Sequence, residues 1–201
     1  MFEFFAALLG LVASIWITFG VYIAGRFYPN YDHFNQFCSE LGASGSPTQK
    51  LSPWINNYPL SVMFVIFGWH VTQLPDASIA FYITGGLIVF HGIGTWFAGY
   101  FPMDKDPYTL TPSRHCQIHS TAGSVVMLTL LVAPVIITIS PDSELITPWF
   151  RVFSVSVVLA SIFFTIKLVK AYKARQGAGL YQRLSYWTQL MWLSVFSLML
   201  A

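Results

Sequence analysis

The sequence predicts an all-α integral membrane protein, a polytopic bundle of six transmembrane helices with its N- and C-termini outside. Three observations support this prediction. Of the 201 residues, 55% are hydrophobic and only 9% are charged, whereas a soluble domain carries about 25% charged residues. Six apolar segments approach the roughly 20 residues that a membrane-spanning helix needs. Basic residues lie almost entirely on one side of these segments.

The six helices are predicted at about residues 2–27, 57–74, 77–101, 112–140, 147–172 and 180–201 of a single domain, 1–201. The first segment starts with Glu3 rather than a basic residue and exceeds the apolar core of a signal peptide, so we interpret it as a retained helix. Pro75-Asp76 and Pro141-Asp142 separate helices, because proline cannot continue the hydrogen-bond ladder.

The distribution of basic residues predicts which side of the membrane each connection faces. With their flanks, the connections after the first, third and fifth helices hold nine basic residues, and the other side holds only Arg151. The nine are Arg26, Lys50, Lys105, Arg114, Lys167, Lys170, Lys173, Arg175 and Arg183. These connections are therefore expected to be cytoplasmic, with the acidic residues Glu3, Asp76, Asp142 and Glu144 outside. The run from Lys167 to Arg175 is expected to contact anionic headgroups.

The third predicted helix is rich in small residues, which let helices approach closely in lipid. Thr84, His91, Thr95 and Gly99 recur at three-to-four spacing, so this stripe is expected to face protein. His91 lies deep in the segment and needs a hydrogen-bond partner, for which Thr84 and Thr95 are candidates. Haem ligation or a proton relay is the alternative role for His91.

The connection after the first helix alternates aromatic and polar residues over 31–45, so we expect it to pack back onto the bundle. Within it, Ser39 and Glu40 are candidates either for capping a short helix or for catalysis. Cys38 in this connection and Cys116 after the third helix form no CxxC motif. We expect both to be reduced thiols, since cytoplasmic disulfides are rare.

A histidine pair opens the fourth helix. Thr111 followed by Pro112 predicts the helix start, with Thr111 as the N-cap. His115 and His119 are then one turn apart on one face, which is a spacing that allows two imidazoles to hold one metal ion.

In a metal site His115 and His119 would hold zinc. His33, Asp104 or Glu40 would complete the shell or act as a general base, and Ser39 would orient the substrate or the bound water. The alternative is a structural role, in which the two imidazoles of the fourth helix are hydrogen-bonded to Glu40 or Asp104.

Several of these motifs occur together in one known family. They are Ser39-Glu40-Leu41-Gly42-Ala43, Asn57, Phe101-Pro102-x-Asp104, and His115 with His119. In this combination the chain resembles the domain-of-unknown-function 998 family of bacterial and archaeal membrane proteins. The resemblance covers most of the first four helices. It implies a six-helix protein of the inner (plasma) membrane and no established activity.

A more distant similarity links the chain to the superfamily of alkaline ceramidases and progestin/adiponectin-type receptors. Those membrane hydrolases place a serine, an aspartate and an HxxxH pair around zinc near the cytoplasmic face. By analogy, this similarity implies such roles for Ser39, Asp104, His115 and His119.

Three functions are compatible with these residues. The first, narrowly favoured because ionisable residues converge on one membrane face, is a metal-dependent hydrolase of a lipid amide or ester. The second is a non-enzymatic accessory or lipid-binding protein, and the third is a haem protein for electron transfer that uses His91. The expected partners are membrane lipids and a small lipid-like substrate. Nucleic acid is excluded because no basic cluster is interleaved with stacking aromatics, and the oligomeric state is left open.

Overall fold

The computed structural model describes residues 2–75, 78–141 and 145–201, and these ranges form six α-helices. The helices are α1 Phe2–Arg26, α2 Tyr58–Thr72, α3 Ile79–Tyr100, α4 Arg114–Ile139, α5 Pro148–Ala174 and α6 Ala178–Leu200. A 3₁₀-helix, Cys38–Gly42, and a π-helix, Pro53–Asn57, lie between α1 and α2. No strand forms within the described ranges, so the all-α prediction is confirmed. Each helix end lies within two residues of its predicted position.

Four of the helices, α1, α3, α4 and α5, are long and apolar enough to cross a membrane. With 15 residues α2 is short, but it continues from the π-helix, and the continuous helical stretch begins at Leu51. With 23 residues α6 is long enough but less apolar, because it carries Gln182, Arg183 and Gln189. The chain is thus a polytopic helical bundle.

The start of α4 differs from the prediction. α4 begins at Arg114, and Ser113 rather than Thr111 is the N-cap, because Ser113 Oγ accepts a hydrogen bond from Cys116 N at 3.2 Å. The backbone N–H of Ser113 donates to Asp104 Oδ2 at 2.8 Å. Serine and threonine both suit the N-cap position. At Ser113 the N-cap residue is also held by the hydrogen bond from its backbone to Asp104.

α2 and α3 pack backbone against backbone through glycines. A β-carbon at Gly68 would lie 2.6 Å from the carbonyl oxygen of Gly85, and one at Gly85 would lie 2.6 Å from that of Gly68. Gly92 faces Ser61 in the same way, since a β-carbon there would lie 2.9 Å from the Ser61 carbonyl oxygen. The predicted use of small residues for close approach is therefore confirmed at these positions.

The apolar core is formed by side chains of all six helices, and its aromatic rings come from α2, α3, α5 and α6. Its largest fully buried rings are Phe64, Phe67, Phe150, Trp192 and Phe196. Trp192 and Phe196 each stack on Phe150 with ring centroids 6.0 Å apart. Consecutive helices pack side by side, and α6 returns to α1, which closes the bundle.

At the end of the bundle that holds the chain termini, Arg151 binds the C-terminal end of α4. Its Nη1 donates to the carbonyl oxygens of Thr138 at 2.6 Å and Ser140 at 2.7 Å. A cation is favourable there, because the C-terminal end of a helix carries partial negative charge. Four residues named in the sequence predictions lie outside the described residues: Asp76, Ala77, Asp142 and Glu144.

Candidate functional site

Three connections meet at one end of the bundle, which we call the loop end: residues 27–57, 101–113 and 175–177. Tyr172 Oη donates to the carbonyl oxygen of Pro107 at 2.9 Å and so joins α5 to the second connection. Gly177 N donates to Asn35 Oδ1 at 2.8 Å and joins the third connection to the first. Leu180 N of α6 donates to the carbonyl oxygen of Phe34 at 2.8 Å, and this contact confirms the predicted packing of the first connection onto the bundle.

Arg183 of α6 lies at the centre of the loop end, and only 6% of its surface is exposed. Its Nη1 donates to the carbonyl oxygens of His33 at 2.6 Å and Gln36 at 2.9 Å, and its Nη2 donates to Tyr31 Oη at 2.7 Å. We call these four residues the Arg183 cluster. Within the described chain no carboxylate pairs with this guanidinium, and its Nε is buried without a hydrogen-bond partner.

Burial changes the acidity of the groups around Arg183. It raises the pKa of the Tyr31 phenol and of the Cys38 thiol, and the Arg183 charge opposes both shifts. Burial lowers the pKa of His33, and repulsion from the Arg183 charge lowers it further by a smaller amount. Tyr31 and Cys38 are therefore protonated at neutral pH and His33 is uncharged. None of the three neighbours supplies a negative charge to offset the guanidinium.

Glu40 is bound to its own turn. Its Oε1 accepts a hydrogen bond from Phe37 N at 2.8 Å, and its Oε2 accepts one from Gln36 Nε2 at 2.9 Å. It is 8% exposed and stabilises the start of the 3₁₀-helix, which is one of its two predicted roles. Ser39 is half-buried in the same turn. Both carboxylate oxygens of Glu40 thus already have donors.

Asp104, the third catalytic candidate, is bound to the start of α4. Its Oδ2 accepts the hydrogen bond from Ser113 N at 2.8 Å. Hydrogen bonds from Ser113 lower the pKa of the Asp104 carboxyl, with a smaller contribution from the charge of His115. The Asp104 carboxylate therefore stabilises the start of α4, as the Glu40 carboxylate stabilises the start of the 3₁₀-helix.

The two histidines of α4 have different surroundings. His119 Nδ1 lies 2.9 Å from the carbonyl oxygens of both Ala98 and Phe101, to which it donates at the C-terminal end of α3. His115 is exposed, and its ring lies edge-on to Phe101 with centroids 5.5 Å apart. The partners of His119 Nδ1 are thus backbone carbonyl groups rather than Glu40 or Asp104, because the last carbonyl groups of a helix are themselves unpaired acceptors.

Comparison with protein families gives one assignment. A family model described as "Protein of unknown function (DUF998)" matches residues 11–199. The chain belongs to the DUF998 family. The resemblance inferred from the motifs of the first four helices is confirmed, and the match extends through α5 and most of α6. No curated protein and no solved structure matches the chain.

The residues of this DUF998 protein do not fit the predicted zinc site. Its described residues contain no group of three His, Cys, Asp or Glu side chains that could hold a metal ion. His33 Nδ1 lies 3.4 Å from Arg183 Nη2, beside a positive charge, whereas His119 is directed at the end of α3 and His115 packs on Phe101. The three histidines therefore belong to different local contacts.

His91 of the DUF998 chain is fully buried, as the stripe on the third helix predicts. Its Nδ1 lies 2.8 Å from the carbonyl oxygen of Val126, and its Nε2 lies 3.0 Å from Tyr186 Oη. The partners therefore come from α4 and α6, and the prediction of Thr84 or Thr95 is wrong. A haem does not fit here, because both ring nitrogens are occupied and neither is free to bind iron.

Sequence reasoning missed the role of α6. Arg183 was counted only as a signal of membrane orientation, and Tyr186 was not singled out. The available signal was the spacing of Gln182, Tyr186 and Gln189, which recur every three or four residues along an apolar segment and so share one face. Polar groups on such a segment usually face protein and have a role there.

At the loop end of the DUF998 protein the acidic side chains have hydrogen-bond partners, whereas most of the basic side chains are exposed. Its four carboxylates, those of Asp32, Glu40, Asp104 and Asp106, all accept hydrogen bonds from backbone N–H groups. Within the described chain none of them forms an ion pair with a basic residue. Seven of the nine basic residues at this end are exposed: Arg26, Lys50, Lys105, Arg114, Lys170, Lys173 and Arg175. The surface of the loop end is therefore strongly positive.

Proposed function

We propose that this chain is a non-enzymatic integral membrane protein that binds anionic lipid headgroups at its loop end. The observation that carries the proposal is the charge distribution: nine basic residues stand against four carboxylates there. The carboxylates are engaged by backbone N–H groups, so they leave the exposed cations without ionic partners.

The basic residues near the end of α5 are suited to headgroup contact. Lys167, Lys170 and Lys173 recur at about one helical turn. Lys170 and Lys173 are exposed, and Arg175 lies over the ring of Tyr108 at 4.9 Å from its centroid. A basic residue close to an anionic membrane surface contributes about 1 kcal/mol to binding. A run at the end of a membrane-spanning helix lies at the depth where headgroups begin.

Hydrolysis is less well supported by the same residues. A general base needs a free lone pair aimed at the reacting water, but hydrogen-bond donors hold both oxygens of Glu40, and Asp104 binds the start of α4. A catalytic zinc site needs about three protein ligands, and no such group lies within the described residues. Lipid binding requires only the charges already exposed.

The proposal is tested by the lipid that stays bound to the protein. The full chain is reconstituted in nanodiscs of mixed phosphatidylcholine and phosphatidylglycerol, and retained lipids are counted by native mass spectrometry after release into neutral detergent. Phosphatidylglycerol should be retained in preference. Replacing Lys167, Lys170 and Lys173 by Gln should lower that preference on the order of 100-fold, at about 1 kcal/mol for each of the three cations. Replacing the same three by Arg keeps the charge and should preserve it.

Three results would overturn the proposal. The first is equal retention of both lipids by the wild type, and the second is an unchanged preference in the triple Gln variant at low salt, where screening is weak. The third is stoichiometric zinc in protein purified without chelators, lost in His115→Ala, which would favour the hydrolase instead.

A further inference from the structure

A groove of about 560 Å³ runs along the outer surface of the bundle between α3 and α4. Two of its lining residues, Gly94 and Ala122, are small and buried. A β-carbon at Gly94 would lie 3.3 Å from the Ala122 carbonyl oxygen, so the helices approach closely there. Larger side chains that line the groove, Phe90, Phe97 and Val125, are exposed. The result is an apolar trough that is open towards lipid.

The loop end of this groove is polar and positive. Arg114, the first residue of α4, lines it and is exposed, and its guanidinium forms no hydrogen bond or ion pair with another described residue. Gln117 lies one turn further along the groove and donates to the Pro112 carbonyl oxygen at 3.0 Å. Asp104, an acidic residue of the connection that precedes α4, is bound to Ser113 N. The guanidinium of Arg114 is therefore available to an anion.

The dimensions of the groove suit a lipid of one leaflet. Its lining on α4 extends from Arg114 to Val125, which corresponds to about 16 Å at 1.5 Å per residue. Half of a hydrocarbon core of about 30 Å is a similar length. A molecule lying in the groove with its charged group at Arg114 would keep its apolar part within that leaflet.

We propose that this groove binds one anionic phospholipid, with an acyl chain between α3 and α4 and the phosphate at Arg114. The inference rests on the proposed function and deepens it by naming one site and one ligand class. Charge complementarity selects the occupant: the groove is apolar along its length and ends in an unpaired guanidinium, and a phospholipid has the same arrangement of apolar chain and anion.

A second groove, of about 420 Å³ between α1 and α6, provides an internal comparison. Ser14, Trp187 and Ser194 are among its lining residues, and no charged residue lines it. If lipid occupies both grooves, only the one between α3 and α4 should discriminate between anionic and zwitterionic headgroups.

Photo-crosslinking tests this assignment in the full chain. Nanodiscs are doped with phosphatidylglycerol or phosphatidylcholine that carries a diazirine on one acyl chain, and labelled peptides are mapped by mass spectrometry. The phosphatidylglycerol probe should label the groove between α3 and α4 more strongly than the groove between α1 and α6. Arg114→Gln should lower that labelling about fivefold, the equivalent of one cation at the surface. Arg114→Lys should retain most of it.

A second variant distinguishes the contribution of the groove's shape to lipid binding from that of the Arg114 charge. Thr121 lines the groove and is exposed, so Thr121→Trp fills the trough without entering the core. It should lower labelling by both probes, whereas Arg114→Gln should affect only the anionic probe. Circular dichroism and the unfolding midpoint check that both variants are folded.

The outcomes distinguish this inference from the broader proposal. If phosphatidylglycerol binds preferentially but labels other helices, or if Arg114→Gln leaves the labelling unchanged, the groove assignment is overturned and headgroup binding at the loop end stands. If neither probe is preferred anywhere on the protein, both proposals are overturned.

Discussion

The α2–α3 interface and the Arg183 cluster hold this protein together in different ways. Between α2 and α3, Gly68 and Gly85 bring the two backbones into contact, and a β-carbon on either would lie 2.6 Å from the opposing carbonyl oxygen. At the loop end, the guanidinium of Arg183 donates to oxygens of Tyr31, His33 and Gln36. One region depends on the absence of side chains and the other on a single long, charged side chain.

The difference follows from the solvent around each region. Lipid tails are as apolar as leucine, so helices within the bilayer gain little from the hydrophobic effect, and close packing must bring them together. At the loop end the chain leaves the helices, and its backbone groups need partners. A guanidinium with five donors can satisfy several carbonyl groups at once. Breaking one region should therefore leave the other largely intact.

Arg183→Met should give the largest effect. It leaves the Tyr31 hydroxyl and the carbonyl oxygens of His33 and Gln36 without their donor, in a region that water reaches poorly. At about 1–3 kcal/mol for each buried polar group left unpaired, reduced by partial hydration, the expected loss in free energy of unfolding is about 2–4 kcal/mol. Lys173→Met, which removes an exposed cation from the same end, should cost little.

Hydrogen exchange locates the effect of Arg183→Met. The amides of residues 31–38 should exchange faster, while those of α2 and α3 keep their protection. Loss of protection in α2 and α3 to the same degree would show that the two regions form one cooperative unit and are not stabilised independently.

Gly85→Ala should give the next largest effect, and Gly86→Ala at the neighbouring position is its matched control. Gly85→Ala places a β-carbon 2.6 Å from the backbone oxygen of Gly68, and this overpacking should cost about 1–3 kcal/mol of stability. Gly86 has no atom within 4 Å of its would-be β-carbon, so Gly86→Ala should be neutral or slightly stabilising, because alanine favours helix. Unfolding midpoints in detergent compare them, and equal midpoints would contradict the backbone-contact interpretation.

The helices could be predicted from the sequence because each apolar segment carries its signal locally. Composition, segment length and the prolines between segments placed every helix end within two residues. The small residues of α3 also indicated close packing. The start of α4 was less well predicted, since Thr111 and Ser113 suit an N-cap equally and the Asp104 contact comes from nine residues upstream.

The candidate site was harder to predict because its contacts join distant parts of the chain. The i, i+4 spacing correctly places His115 and His119 on successive turns, but it does not reveal that the end of α3 offers His119 two carbonyl oxygens. Arg183 meets the first connection across about 150 residues of sequence. Periodicity along one helix gives no information on such a pairing.

Tyr186→Phe should give a smaller effect, inside the bundle. It removes the hydroxyl that lies 3.0 Å from His91 Nε2 and leaves a buried ring nitrogen unpaired. The expected cost is about 1 kcal/mol, the low end of the range for one buried polar group left unpaired, because only a neutral hydroxyl is removed. Because the two residues share one bond, the double variant with His91→Phe should cost less than the sum of the two single variants. Strict additivity would exclude the bond.

Asp104→Asn should give the smallest effect, because Asp104 is half-exposed and the asparagine side chain still offers an oxygen to Ser113 N. Hydrogen bonds from Ser113 lower the pKa of the Asp104 carboxyl in the folded state. A lowered folded-state pKa stabilises the protein above the unfolded-state value, and this contribution disappears as the pH falls through the folded-state value. The unfolding midpoint of the wild type should therefore exceed that of Asp104→Asn at neutral pH and approach it on acidification. A gap that widened in acid would mean that Asp104 is not held in its ionised form by the start of α4.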